Sequence, residues 1–364
     1  MLLFGYWKLK FIWSLEFGHW CLKPMDLLIF DMDGVLIDVS QSYRKTIQQT
    51  IHIYLEHCLG LKATLVSPEE ISLFKSAGGF NNDWDLTAGF LLYLLSASKV
   101  PPLPKQKKFS SLDDIVPHLR QHLSNFHQKK PIGVKRNHLY SFIEQIKASG
   151  GGLRGIRSAL GGEWDGWIYR SGDLAKENLV KRIFQEIYLG EKFPSHYHLQ
   201  RLFYLGKGLY LREKLLIGRD VLASLRRKMR MGIASGRPRF EAELALKRFR
   251  ISHYFDSVVT LDECEQEETK IFLSTGRKIK LSKPHPYSIL RVIKEIGIPN
   301  PQCGYVGDVV DDMRAAKSAG KKSNLLAIGF LASHTKRRET RESLLHAGAN
   351  LILKTPKALL HLIN

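Results

Sequence analysis

At 364 residues, with 44% hydrophobic and 25% charged side chains, the chain can bury a sizeable core and has an ordinary globular composition. It contains no apolar run of membrane-spanning length, and its four cysteines form no Cys-x-x-Cys pair or zinc-like spacing, which excludes a zinc framework and favours reduced thiols. The net charge of +20 suits nucleic acid, an acidic membrane surface or anionic metabolites, and does not choose among them.

Residues 1–24 are rich in aromatics, but Lys8, Lys10, Glu16 and His19 interrupt any apolar stretch. They read as an extension and not as a signal peptide, so a cytoplasmic location is expected. Residues 26–30 (DLLIF) form a short continuous apolar run, the pattern of a strand covered on both faces. From Ser42, apolar residues recur at helical spacing as far as Cys58 and stop near Gly60. Helical signals continue over 67–98, broken at Gly78-Gly79, and return at 112–126, 138–148 and 174–189. The Pro- and Lys-rich stretch 101–111 reads as an exposed loop. Strand-like segments then reappear at 230–234, 256–260, 302–306, 325–328 and 351–353, with helices at 238–249 and 287–296 between them. This alternation predicts an α/β fold, a doubly wound parallel sheet of Rossmann-like form with an inserted, mainly helical cap. The expected layout is an extension at 1–24, a discontinuous core at 25–40 and 213–364, and a cap at 41–212.

Four short pieces fall at the ends of predicted strands: Asp31-Met32-Asp33-Gly34, Ala234-Ser235-Gly236-Arg237, Ser282-Lys283-Pro284-His285-Pro286 and Gly307-Asp308-Val309-Val310-Asp311-Asp312. If the chain turns at Gly34, Asp31 and Asp33 both reach the carboxyl edge of the sheet, where Asp308 joins them. Three converging carboxylates repel unless a cation neutralises them, and an all-oxygen donor set suits Mg²⁺. The Ser235 hydroxyl and the backbone N–H groups after it, with the Lys283 charge, are placed to hold phosphate oxygens. A carboxylate nucleophile would divide hydrolysis into two easier steps through an aspartyl phosphate.

In order, spacing and strand context these pieces resemble the four motifs of the haloacid dehalogenase superfamily, and the insertion after the first resembles the helical cap of its subfamily I, which includes phosphoglycolate phosphatases and β-phosphoglucomutases. The resemblance implies a Mg²⁺-dependent phosphatase acting on a small phosphorylated metabolite. By it, Asp31 is the nucleophile and a metal ligand. Asp33 is the general acid/base and binds metal through its backbone carbonyl. Ser235, Gly236 and Lys283 hold the phosphate, Asp308 is the main acidic metal ligand, and Asp312 and Asp311 support it. The presence of Asp33 favours phosphate esters over halides, because an alkoxide leaving group needs a proton. Two alternatives stay open: a phosphomutase on the same scaffold, and a basic nucleic-acid-binding protein with vestigial motifs.

Within the insertion, Asn81, Asn82, Asp83 and Trp84 follow Gly78-Gly79. They suit either a loop that closes over the core and reads the substrate, or a turn that caps the next helix. Glu163-Trp164-Asp165-Gly166-Trp167 reads as a turn packed on the cap. The basic runs Arg226-Arg227-Lys228-Met229-Arg230 and Lys336-Arg337-Arg338 read as solvated helix ends, and no aromatic-basic platform for nucleic acid is present.

Overall fold

The computed structural model describes residues 24–80, 82–104, 109–334 and 337–363. The extension up to residue 23, with Cys21, therefore lies outside the described residues, as do Asn81, part of the 101–111 loop and Lys336.

Six strands make one parallel sheet: β1 (Leu27–Phe30), β4 (Arg230–Ala234), β5 (Ser257–Val259), β6 (Cys303–Gly307), β7 (Leu325–Phe330) and β8 (Leu351–Leu353), in the order β5-β4-β1-β6-β7-β8. Every residue of β1 is buried, as its unbroken apolar sequence requires of a central strand. From β1 the chain builds outward through β4 and β5, then crosses back to place β6 on the other side of β1. That reversal opens a crevice at the carboxyl ends of β1 and β6, where ligands bind in open sheets of this kind.

Between β1 and β4 run β2 (Ile37–Asp38) and β3 (Lys214–Leu215), an antiparallel two-strand ribbon. It ties the start of the helical insertion to its end. The insertion contains α1 (Tyr43–Ile53), α2 (Pro68–Lys75), α3 (Asp83–Ala97), α4 (Leu112–Gln121), α5 (Arg136–Ala148), α6 (Gly152–Leu160), α7 (Leu179–Leu189) and the short α8 (Phe193–Tyr197). Its apolar residues form their own core, with α3 buried over nearly its whole length at the centre. The α2 start is a capping box, in which the Glu70 backbone N–H donates to Ser67 and the Ser67 N–H donates to the Glu70 carboxylate. The helix expected from residue 174 begins at Leu179, because Asn178 accepts from the Lys181 N–H and fixes the start there.

Five helices cover the sheet: α9 (Arg219–Arg226), α10 (Arg239–Phe249), α12 (Tyr287–Ile296), α13 (Val310–Ala319) and α14 (Arg337–Ala347). They enclose two apolar clusters, one on each face. A further helix, α11 (Leu261–Thr275), escapes periodicity analysis, because only Leu261 and Cys264 of its residues are buried. Its legible signal is the Thr260–Glu263 capping box. No helix among the described residues is long and apolar enough to cross a membrane.

Candidate active site

Asp31 follows the last residue of β1, and its backbone N–H donates to the Val306 carbonyl of β6 at 2.9 Å, so it stands at the crevice. The chain then turns: the Gly34 N–H donates to the Ile37 carbonyl, and the Leu36 and Ile37 N–H groups converge on the Met32 carbonyl. Asp308 follows β6, Ser235 follows β4, and Lys283 reaches across from the loop before α12. Asp31, Ser235, Lys283 and Asp308 thus come together from four separated stretches of chain.

Lys283 is the electrostatic centre. Its ammonium lies 2.8 Å from Asp31 Oδ1 and 2.7 Å from Asp312 Oδ1, and it donates to the Tyr305 hydroxyl at 3.0 Å. Tyr305 in turn donates to Asp312 Oδ1 at 2.9 Å. The other Asp312 oxygen accepts from the Asp308 and Val309 backbone N–H groups at 3.1 and 3.2 Å. Both oxygens of this fully buried carboxylate are therefore occupied, so Asp312 orients Lys283 and the turn after β6. The Lys283 ammonium is held firmly protonated by Asp31 and Asp312 against the effect of its burial. Burial is also the main reason the Asp31 carboxyl is pushed up to about 8; Lys283 lowers it, while Asp312, Asp33 and Asp308 raise it further.

Among the described residues, Asp31, Asp308 and Asp312 can bring carboxylate oxygens within 4.8 Å of one another. With Asp312 committed elsewhere, Asp31 and Asp308 are the carboxylates left for a cation. The fit is good on two observations. The donor set is all oxygen, as Mg²⁺ prefers. Burial, together with Asp312, Asp33 and Asp308, penalises the Asp31 carboxylate by more than Lys283 offsets, a deficit that a divalent ion would fill. His334, in the loop after β7, places Nε2 3.1 Å from Asp308 Oδ2.

Ser235 is 3% exposed; its N–H donates to the Val259 carbonyl, and its Oγ accepts from the Arg237 N–H at 3.2 Å. The hydroxyl proton stays available to a ligand. Ser235, Gly236 and Lys283 line one hollow, closed by Leu261, Cys264, Ser282 and Ser288. Asp33 stands beside this group with its side chain 30% exposed, and the Arg237 Nε lies 2.5 Å from its Oδ1. Burial raises the Asp33 carboxyl, and Arg237 opposes the shift.

The remaining candidates are more dispersed. The Asp311 carboxyl is raised chiefly by burial, while Arg314 and the nearby Gly79 backbone of the insertion lower it. Asn82 accepts from the Asp85 N–H at 2.7 Å and caps α3. Asp83 pairs with Lys75 at 3.0 Å. Trp84 is 8% exposed, packs edge-on against Phe184 and lies 4.5 Å beneath the Lys181 ammonium. Trp167 is buried in the cap core, and its carbonyl accepts from the Tyr54 hydroxyl. His285 stays on the surface, its Nδ1 accepting from the Tyr287 N–H.

Four residues of this neighbourhood carry no site role on the sequence reading: Tyr305, His334, Arg237 and Glu213. A charged residue directly after Ser235-Gly236 is a usable signal for Arg237. The others depend on which strands lie side by side.

Residues 218–325 match the family described as haloacid dehalogenase-like hydrolase. Over 315 residues, 86% of this chain, the sequence is 24% identical to an imidazoleglycerol-phosphate dehydratase of Phytophthora nicotianae, across 45% of that protein. A phosphoglycolate phosphatase of Escherichia coli strain K12 is 30% identical over 112 residues, 30% of this chain and 38% of that one. The chain thus spans less than half the length of these curated relatives. Its fold is that of a solved phosphatase from Thermococcus thioreducens, with a TM-score of 0.50 and 19% identity over 88% of this chain and 99% of that one.

Proposed function

We propose that this chain, which its matched core segment and its fold make a haloacid dehalogenase-like hydrolase, releases phosphate from a small phosphomonoester with Asp31 as the nucleophile. The carrying observation is the convergence of Asp31, Asp308, Ser235 and Lys283 on one crevice at the reversal of strand order. Two relatives whose names carry phosphate esters, phosphoglycolate and imidazoleglycerol phosphate, agree with that substrate class.

In this reading Ser235, the Gly236 N–H and Lys283 hold the phosphoryl oxygens. An Asp31 oxygen attacks phosphorus as the ester bond breaks, and Asp33 delivers a proton to the leaving oxygen. Asp33, now a carboxylate, takes a proton from the water that attacks the aspartyl phosphate. Phosphate departs and Asp31 is restored. Lys283 anchors Asp31 at 2.8 Å and so fixes the attacking carboxylate. Asp31, Asp308 and the Asp33 carbonyl would hold Mg²⁺, which when bound neutralises charge on the transferring phosphoryl group. The helices between β2 and β3 form a cap over the crevice, with a core at 25–40 and 213–364, and cap closure would shield the aspartyl phosphate from bulk water. The net charge of +20 favours approach of anionic metabolites.

A panel of phosphate esters assayed with Mg²⁺ for released phosphate tests this. Turnover of at least one ester, abolished in Asp31→Asn, is expected. Absence of turnover across the panel, or full activity in Asp31→Asn, overturns it.

A further inference from the structure

Arg237 is a buried charge beside the crevice that has no task in the chemistry proposed above. Arg237 is 1% exposed, yet its guanidinium joins the core to both ends of the cap. Its Nε lies 2.5 Å from Asp33 Oδ1, its Nη2 3.0 Å from Glu213 Oε1, and its Nη1 3.4 Å from Glu213 Oε2 and 3.3 Å from the Tyr188 hydroxyl. The Tyr43 ring lies 5.0 Å from the guanidinium and stacks on Tyr188 at 4.5 Å. Glu213 also accepts from the hydroxyls of Ser42 at 3.2 Å and Tyr188 at 2.9 Å. Ser42 stands at the start of the insertion, and Glu213 stands next to β3 at its end.

A guanidinium out of water needs partners, and Glu213 alone would neutralise Arg237. The planar fork does more: it is held from behind by Glu213, Tyr188 and Tyr43, so its Nε is fixed in direction. That Nε takes only Oδ1 of Asp33. The Asp33 side chain keeps 30% of its surface, so its second oxygen is left for the crevice.

We propose that Arg237 is the positioning residue for Asp33: it clamps Oδ1 and so presents Oδ2 to the oxygen of the leaving group. Through Glu213 and Ser42 the clamp is built only when both ends of the cap are seated on the core. The inference rests on the phosphatase reading. The proton leaves Oδ2 for the departing alkoxide as the phosphorus–oxygen bond breaks, and the resulting carboxylate remains paired with Arg237 until it takes a proton from water.

The test compares two leaving groups. Phenolate departs from p-nitrophenyl phosphate without a proton; an alkoxide needs one. The alkyl ester is whichever of phosphoglycolate, glycerol phosphate or a hexose phosphate the wild-type protein turns over fastest. In Arg237→Ala, kcat on the alkyl ester should fall about 100-fold, with KM within about threefold and the p-nitrophenyl ester slowed less than about fivefold. Added guanidinium should restore part of the alkyl-ester rate. Arg237→Lys keeps the buried charge without the fork and should show the same selectivity, which preserves the test if the alanine variant does not fold. Equal slowing of both esters in a folded variant, or no slowing of either, overturns the inference and leaves the phosphatase reading standing. Absence of phosphate release by the wild-type protein from every ester overturns both.

Discussion

A β-carbon placed on Gly34 would lie 2.0 Å from Oδ2 of Asp308 and 2.5 Å from its Cγ. The glycine also has a φ of +77°, a conformation that side chains disfavour. The turn after β1 therefore presses its backbone against the carboxylate that follows β6, and only glycine leaves that carboxylate in place. Gly34→Ala should cost about 1–2 kcal/mol in stability from the backbone conformation. Its larger effect should be on divalent-cation affinity, weakened about tenfold or more as Asp308 is displaced. Titration calorimetry with Mg²⁺ or Mn²⁺, beside thermal melting, separates the two effects. Unchanged cation affinity in a folded variant would contradict this account.

Lys283 lies between two buried carboxyl groups, Asp312 at 2.7 Å and Asp31 at 2.8 Å, and burial pushes the second of these up to about 8. Lys283→Met leaves the Asp312 carboxylate without its cation while Asp31 takes up a proton, and breaking a buried pair in this way costs about 3–5 kcal/mol. Denaturant unfolding should show that loss, with part of it recovered on adding a divalent cation. A variant as stable as the parent in cation-free buffer would show that the carboxylates are not ionised around Lys283.

Glu241 is buried where α10 meets the cap, hydrogen-bonded by the Tyr43 hydroxyl and by Gln185 Nε2. Burial raises its carboxyl to about 7, and Tyr43, Gln185, Arg237 and Lys181 only partly offset it. The folded protein therefore binds this proton more tightly than the unfolded chain. Below the unfolded pKa both states are protonated and nothing is lost. As pH rises toward 7 the unfolded state ionises first, and stability falls; above 7 the penalty is constant. Glu241→Gln removes the titration. Its stability relative to wild type should rise by up to about 3 kcal/mol between pH 4.5 and 7.5. Chemical denaturation across that range checks it, and a pH-independent difference would sink it.

His334 reaches Asp308 from the neighbouring strand's loop, with Nε2 3.1 Å from Oδ2. It restrains the carboxylate that would face the cation. His334→Ala should weaken divalent-cation binding by about tenfold while leaving thermal stability within about 0.5 kcal/mol of wild type. An affinity equal to that of wild type would assign His334 no such part.

The strand-end motifs were legible because each combines a local element with a chemical group. An apolar run ending in Asp31-Met32-Asp33-Gly34 is readable without neighbours, and so is Ser235 between β4 and the start of α10. The α11 helix was not legible from periodicity, since acidic side chains mask its narrow buried face. Tyr305 reads as one more apolar strand residue, and only its packing beside Lys283 and Asp312 shows a polar task. The loop at 78–87 admitted two readings in sequence. In the fold, Asn82 caps a helix and Asp83 pairs with Lys75, partners that local pattern cannot assign.

What the sequence by itself determined is the strands of the main sheet, most helices of the insertion and the chemical groups at the strand ends, because hydrophobic period, capping and turn residues act within a few positions of one another. The order β5-β4-β1-β6-β7-β8 and the partners of each group were decided only by the tertiary structure. Arg237 meets Asp33 and Glu213, and His334 meets Asp308, across long stretches of chain. Such pairings follow from strand adjacency and from burial, which forces each charge removed from water to find a counter-charge wherever the fold supplies one.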